Sequence, residues 1–100
     1  MYKVQVSRQA KKDAVHIERS GLKAYVYEII ETIEKDPFEP SQGFEELRGK
    51  WKGSYSRRIN KKHRFVYTVL PNTDKEADEQ GNIYKGVVKV LTMWTHYERL

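Results

Sequence analysis

Residues 54–70 read SYSRRINKKHRFVYTVL, and this stretch decides the fold. Ser54–Ile59 and His63–Leu70 are rich in aromatic and β-branched residues, which suit a pleated surface. Asn60-Lys61-Lys62 between them supplies turn chemistry. The pattern predicts an antiparallel hairpin. Along its second strand, Arg64, Val66, Thr68 and Leu70 share one face, and His63, Phe65, Tyr67 and Val69 share the other. On the first strand Ser56 and Arg58 lie opposite Tyr55, Arg57 and Ile59. Parity leaves undecided which face is open.

Downstream, Lys85–Thr95 (KGVVKVLTMWT) is a third strand candidate. Strict alternation would align Val88, Val90, Thr92, Trp94 and His96 against Val87, Lys89, Leu91 and Met93. The intervening Pro71–Tyr84 is polar and nearly without apolar anchors, which predicts a mobile loop at a hairpin tip. Upstream, Tyr2–Ser7 alternates as a half-buried strand. Ser7 is placed to cap a helix over Arg8–Arg19 with Ala10, Ala14 and Ile17 inward. Ser20-Gly21 ends that helix. A second helix over Leu22–Lys35 carries the stripe Leu22, Val26, Ile29, Ile30, Ile33 and stops at Asp36-Pro37. Phe38–Lys52 is a connection rich in Pro, Gly and charge. The order β-α-α-β-β-β predicts an α+β domain spanning 1–100, with a mainly antiparallel sheet of about four strands and two helices on one face.

Composition narrows the function. The chain has 100 residues, 38% of them apolar and none cysteine. One modest core is expected, without disulfides, thiolate nucleophiles or Cys-ligated metals. No apolar run reaches membrane-spanning length, and MYKVQVS has no apolar signal core, so a cytoplasmic protein with no membrane partner is expected. The net charge of +5 is unevenly placed. Residues 1–50 hold nine basic and nine acidic side chains, so the excess lies in 51–100. From Leu47 to Arg64 there are eight cations (Arg48, Lys50, Lys52, Arg57, Arg58, Lys61, Lys62, Arg64) and no acid. Such a stretch fits an anionic partner, nucleic acid foremost, or a solvated basic surface.

His16, His63 and His96 are too dispersed for a local metal motif, so no metal or cofactor is expected, and neither a phosphate-binding glycine loop nor a serine elbow is present. Arginines converging from adjacent strands suit phosphate chemistry, because each fork bonds two phosphate oxygens and stabilises a pentavalent phosphorane. With a carboxylate base and an imidazole acid, such a set cleaves RNA without metal. The 2′-oxygen loses its proton and attacks phosphorus, and the acid protonates the leaving 5′-oxygen. Each proton transfer contributes ~10²–10⁴-fold.

The residues Pro37-Phe38, Glu45 with Leu47, Gly53, Ser56-Arg57-Arg58-Ile59, His63-Arg64-Phe65-Val66-Tyr67 and His96-Tyr97 resemble the Txe/YoeB family of bacterial addiction-module toxins, within the RelE/ParE superfamily. The likeness is close over about 37–70 and 90–97, and holds in pattern only over the helices. It implies a RelE-like fold and a ribosome-dependent endoribonuclease that cuts mRNA in the A site of the 70S ribosome. It also implies neutralisation by a cognate YefM/Axe-like antitoxin, and leaves room for a homodimer. Carried over by position, the general base falls on Glu45, the phosphate-stabilising arginines on Arg58 and Arg64, the general acid on His96 and the orienting aromatic on Tyr97. To act as acid, His96 must be partly protonated near neutral pH, which a nearby phosphate favours.

Beside these, Arg48, Lys50, Lys52, Arg57, Lys61, Lys62 and His63 are candidates for contacts to RNA or the ribosome. His63 has a structural reading as well, and Trp51, Tyr55 and Trp94 fit either base stacking or packing. Three features depart from the family pattern: Glu98-Arg99-Leu100 follow His96-Tyr97, the loop 71–84 is long, and Glu46 is a second carboxylate beside Glu45. Two rivals remain, a superfamily member that acts without catalysis on a protein target such as DNA gyrase, and a simple RNA-binding module.

Overall fold

The computed structural model describes residues 1–96, the side chain of His96 excepted. In chain order the elements are β1 (Lys3–Val6), α1 (Arg8–Arg19), α2 (Lys23–Lys35), β2 (Glu45–Glu46), a 3₁₀ turn at Gly49–Trp51, β3 (Ser54–Arg58), β4 (His63–Leu70) and β5 (Val87–His96). The expected α+β architecture is present, with one strand more than the pattern suggested. The five strands lie in the order β1-β5-β4-β3-β2. β1 runs parallel to β5, and the other three pairings are antiparallel. At two residues, β2 is too short to leave an alternation in the sequence.

Local chemistry sets the helix ends as expected. Ser7 is extended at the head of α1, and its Oγ accepts from the Ala10 N–H at 3.0 Å. At the other end Gly21 takes φ 71°, a conformation that costs glycine nothing. Gly21 N–H then donates to Glu18 and Leu22 N–H to Ile17, closing the carbonyls left open by the last turn. α2 stops where Asp36 turns extended ahead of Pro37.

The core lies between the helices and one face of the sheet. Ile17 of α1 and Val26, Ile29 and Ile33 of α2 pack in one cluster with Phe65, Tyr67, Val88 and Val90. Full burial of side chains of this size is worth about 1.5–3 kcal/mol each. Among the described residues no helix is long and apolar enough to cross a membrane.

Three sequence expectations need correcting. On α1 the inward set is Ala10, Asp13 and Ile17, while Ala14 is exposed. On β5 the alternation breaks. Tyr67 pairs with Val90 but Val66 pairs with Thr92, so Leu91 is an extra residue, and another extra residue falls between Thr92 and Thr95. Met93 therefore joins Val88 and Val90 in the core, and Thr92 leaves that row. The loop 71–84, expected to be mobile for want of apolar anchors, is held by polar ones. The Asn72 side chain donates to the carbonyls of Glu76 and Tyr84, Ala77 bridges to Ile83, and Lys3 pairs with Glu76 at 2.8 Å.

Candidate active site

Sheet register assembles the site. Glu45 of β2 lies opposite Ser56 of β3, Ser56 opposite Val66 of β4, and Val66 opposite Thr92 of β5. The neighbouring row runs Arg58, Arg64, Thr95, and His63 stands opposite His96 at the strand ends. Tyr55, Phe65 and Tyr67 pack toward the helices. By alternation, Glu45, Ser56, Arg58, Arg64 and Val66 belong to the opposite face. Four strands thus bring Glu45, Arg58, Arg64 and the backbone of His96 to one end of the sheet. Tyr97 lies outside the described residues.

Arg64 is the fixed point of this group. It is 1% exposed, yet one guanidinium nitrogen reaches a Glu45 carboxylate oxygen at 3.5 Å. Its Nε donates to Ser56 Oγ at 2.8 Å, and an Nη donates to the Gly43 carbonyl. Glu45 is 50% exposed in its side chain, so one edge faces Arg64 and the other faces solvent. Glu46 lies opposite Tyr55 and is exposed, in the alternate register. Parity thus puts the two neighbouring carboxylates on opposite faces.

The chain entering β2 is tied to the site by three arginines. Gln42 and Gly43 both take positive φ, at 55° and 65°. Arg58 N–H donates to the Gln42 carbonyl at 2.7 Å, Arg64 bonds the Gly43 carbonyl, and Arg57 reaches Gln42 Oε1 at 3.4 Å. A side chain at position 43 would meet Arg58 Cβ at 3.2 Å, so glycine fits here on both conformation and space.

Arg57 is not a surface cation. It is fully buried, and its guanidinium donates to Tyr67 Oη at 3.1 Å and to the carbonyls of Pro37, Glu39 and Ser41 at 3.1, 2.8 and 2.9 Å. Its face lies over the Phe44 ring at 4.9 Å. The expected RNA contact at Arg57 gives way to a structural role, gathering the connection 37–44 that leads to Glu45. His63 is corrected in the same way. It is 5% exposed and stacks on Trp94 at 3.7 Å, so it is not part of the surface cation set. Arg48, Lys50, Lys52, Lys61 and Lys62 are exposed, as is Arg58.

The aromatic candidates divide. Tyr55 sits in a ring cluster with Phe38, Phe44 and Tyr67, with centroids 5.3–5.9 Å apart. Trp94 lies against His63 and, at 5.3 Å, against His16. Trp51 is half-buried, and its Nε1 has no hydrogen-bond partner among the described residues.

Comparison with known proteins gives this arrangement a family. The profile of the YoeB-like toxin of bacterial type II toxin–antitoxin systems matches residues 7–97, nearly the whole chain. The chain belongs to the YoeB-like toxin family. A curated relative, Toxin YoeB of Synechocystis sp., is 44% identical over 41 residues, which span 41% of this chain and 48% of the relative. The matched stretch thus covers about half the length of that relative.

Solved YoeB structures agree along the whole fold. A YoeB/ParE toxin from Agrobacterium tumefaciens superposes with TM-score 0.73 at 24% identity, over 95% of this chain and 99% of that one. Staphylococcus aureus YoeB is similar in two settings, each at 26% identity. In a heterotetrameric complex with YefM the TM-score is 0.68, over 97% of this chain and 99% of that one. As a YoeB dimer it is 0.69, over 96% and 98%.

This YoeB-like toxin also has a buried carboxylate that its sequence did not single out. Asp13 of α1 is 4% exposed, and its Oδ2 accepts from Thr92 Oγ1 at 2.6 Å and from Met93 N–H at 2.9 Å. Gln9 donates to Oδ1 at 2.9 Å. Burial alone would raise its pKa, but the hydrogen bonds from Thr92, Met93, Gln9 and Trp94 outweigh it and hold the group below 3.8. A signal was present: a charged residue among the apolar positions of α1's inner stripe. Tyr67 is shifted the other way. Burial raises its phenol pKa against the opposing Arg57 charge, and the hydroxyl donates to the Pro37 carbonyl.

Proposed function

We propose that this toxin is a ribosome-dependent endoribonuclease that cleaves mRNA in the A site by acid–base chemistry, with Glu45 as base and His96 as acid. The observation that carries the reading is the Glu45–Arg64 pair. A half-exposed carboxylate is held at 3.5 Å from a buried, oriented guanidinium, in rows shared with Arg58 and the end of β5. Glu45 takes the proton of the 2′-hydroxyl, and the 2′-oxygen attacks phosphorus. The P–O5′ bond breaks, His96 protonates the 5′-oxygen, and a 2′,3′-cyclic phosphate and a 5′-hydroxyl remain. Exposed Arg58 meets the phosphate oxygens as negative charge builds. Arg64, fixed by Ser56 and Gly43, holds a permanent positive charge beside the base and the phosphorane. Tyr97 orients the nucleotide. Every group in this scheme is supplied by the chain, and no cofactor enters it.

Arg48, Lys50, Lys52, Lys61 and Lys62 form the basic surface for ribosomal RNA phosphates. The cellular partner is a YefM/Axe-like antitoxin, a reading supported by the YoeB–YefM assembly of the S. aureus relative. The dimeric form of that relative supports a homodimer. The setting of all of this is the cytoplasm. The test is primer extension on a defined mRNA in a purified translation system, with wild type beside Glu45→Gln and His96→Gln. Ribosome-dependent cuts at A-site codons that fade in both variants are expected. A folded wild type that makes no cuts would overturn the nuclease reading and direct the search to a protein target such as DNA gyrase.

A further inference from the structure

β5 must carry two extra residues and still place Thr95 opposite Arg64 and His96 opposite His63. A bulged strand has lost ladder bonds at the bulge, and its direction beyond that point depends on whatever holds the irregular residues. Here the beginning of α1 holds them. Ser7 N–H donates to the Val90 carbonyl at 2.9 Å, and Ser7 Oγ donates to the Leu91 carbonyl at 2.9 Å. Asp13, about one and a half turns into the helix, accepts from the Met93 N–H and the Thr92 hydroxyl through one oxygen. Thr95 Oγ1 in turn donates to Thr92 Oγ1 at 2.9 Å. A continuous chain of bonds therefore links the α1 carboxylate to the residue opposite Arg64, which precedes the acid assigned above.

We infer that Asp13 is a positioning residue of the active site: through Thr92 it locks the β5 bulge and so fixes the strand end that sets Thr95 opposite Arg64 and His96 opposite His63. The inference rests on the nuclease reading for its catalytic consequence, and on the hydrogen-bond chain for its structural one. Asp13 lies on the first helix and is 4% exposed, so it acts on the reaction only through β5. Its effect belongs to kcat, because a displaced acid disturbs the transition state while the basic surface that binds the ribosome is untouched. A misplacement of about 1 Å costs on the order of 10²-fold in rate.

The experiment compares wild type with Asp13→Asn, Thr92→Val and Thr92→Ser on two readouts. The first is ribosome-dependent mRNA cleavage. The second is amide NMR of the full chain, following the Arg64–Thr95 cross-strand contact and the exchange protection of Met93. Asp13→Asn and Thr92→Val are expected to lower kcat about 10-fold or more with KM within about twofold. They should also weaken the Arg64–Thr95 contact. Thr92→Ser, which keeps the hydroxyl, should restore both. Wild-type kcat in Asp13→Asn and Thr92→Val overturns the inference, as does a loss of kcat with the Arg64–Thr95 contact intact. A wild type that binds ribosomes but does not cleave defeats the nuclease reading instead, and the NMR comparison then decides the anchor by itself. Should Asp13→Asn fail to fold, the Thr92 pair carries the same decision.

Discussion

Arg64 and Glu45 form an ion pair whose members occupy different media, the guanidinium 1% and the carboxylate 50% exposed. The asymmetry divides the labour. Arg64 is bonded from within by Ser56 and Gly43, and Glu45 meets it from the solvent side. The Glu45 carboxylate is half exposed and open to groups that approach from solvent. Glu45→Gln should alter stability by about 1–2 kcal/mol, more than an exposed pair because Arg64 is buried and less than a buried pair because Glu45 is half solvated. The same change should lower cleavage by ~10²-fold or more, the worth of a positioned base. Urea unfolding and single-turnover cleavage of ribosome-bound mRNA check the two halves separately. A stability loss that parallels the activity loss would reassign Glu45 to the fold.

Adjacent arginines should fail in opposite ways. Arg57 is buried with its donors spent on Pro37, Glu39, Ser41 and Tyr67, whereas Arg58 presents an exposed side chain. Arg57→Lys keeps the charge but cannot span four acceptors, so buried carbonyls lose their partners. A cost of about 2–4 kcal/mol follows, or a Tm fall on the order of 10 °C or more for a domain of this size. Arg58→Lys should hold Tm within about 2 °C and lose cleavage by an order of magnitude, because a point charge replaces a fork at the phosphate. Thermal unfolding and cleavage assays on both variants give a crossed pattern if the assignment is right.

This contrast also marks how far the sequence could be read. Turn and cap residues announced themselves, so both helices and the β3–β4 hairpin fall where Ser7, Gly21, Pro37 and Asn60-Lys61-Lys62 put them. Alternation reported which residues of one strand share a face, Ser56 with Arg58 and Arg64 with Val66, and only the register joined the two sets. Burial of cations was not legible, since Arg57 and Lys61 look alike until the 37–44 connection folds over one of them. Nor was the β5 bulge. A strand with an inserted residue reads as a regular strand with the wrong partners, and only the bonds from Ser7 and Asp13 reveal where the phase changes. β2 and the Gln42–Gly43 turn were hidden for a related reason: β2 exists only by pairing with Tyr55 and Ser56, and the turn is held by Arg57, Arg58 and Arg64, 15–21 residues away in sequence.

The exposed cations Lys61 and Lys62, with Arg48, Lys50 and Lys52, should act on association and not on the chemical step. Each phosphate neutralised contributes a slope of about 0.7–0.9 to the dependence of log affinity on log salt. Lys61→Ala/Lys62→Ala should weaken ribosome binding and reduce that slope by about one to two. Cleavage measured at saturating ribosome concentration should stay near wild type. Filter binding of the toxin to ribosomes across a salt series measures the slope. A slope unchanged from wild type would leave these lysines as solvated surface.

Asp13 gives the fold a specific sensitivity to acid. Its folded-state pKa lies below the ordinary 3.8, because the bonds from Thr92, Met93, Gln9 and Trp94 favour the ionised form more than burial opposes it. A depressed carboxylate contributes stability that is complete above the unfolded-state value and is lost as pH falls through the folded-state value. The window is thus below about pH 4, with no contribution to the slope near neutrality. Asp13→Asn should be less stable than wild type at pH 6, because the amide leaves both β5 donors, the Thr92 hydroxyl and the Met93 N–H, without a charged acceptor. The difference should narrow as both proteins are acidified toward about pH 2.5, since wild type alone has this group to protonate. Other carboxylates titrate in both proteins and cancel in the comparison. Urea unfolding of the two at pH 6, 4 and 3 resolves it. Parallel loss of stability across the series would mean that the ionised state of Asp13 is not what holds the β5 bulge.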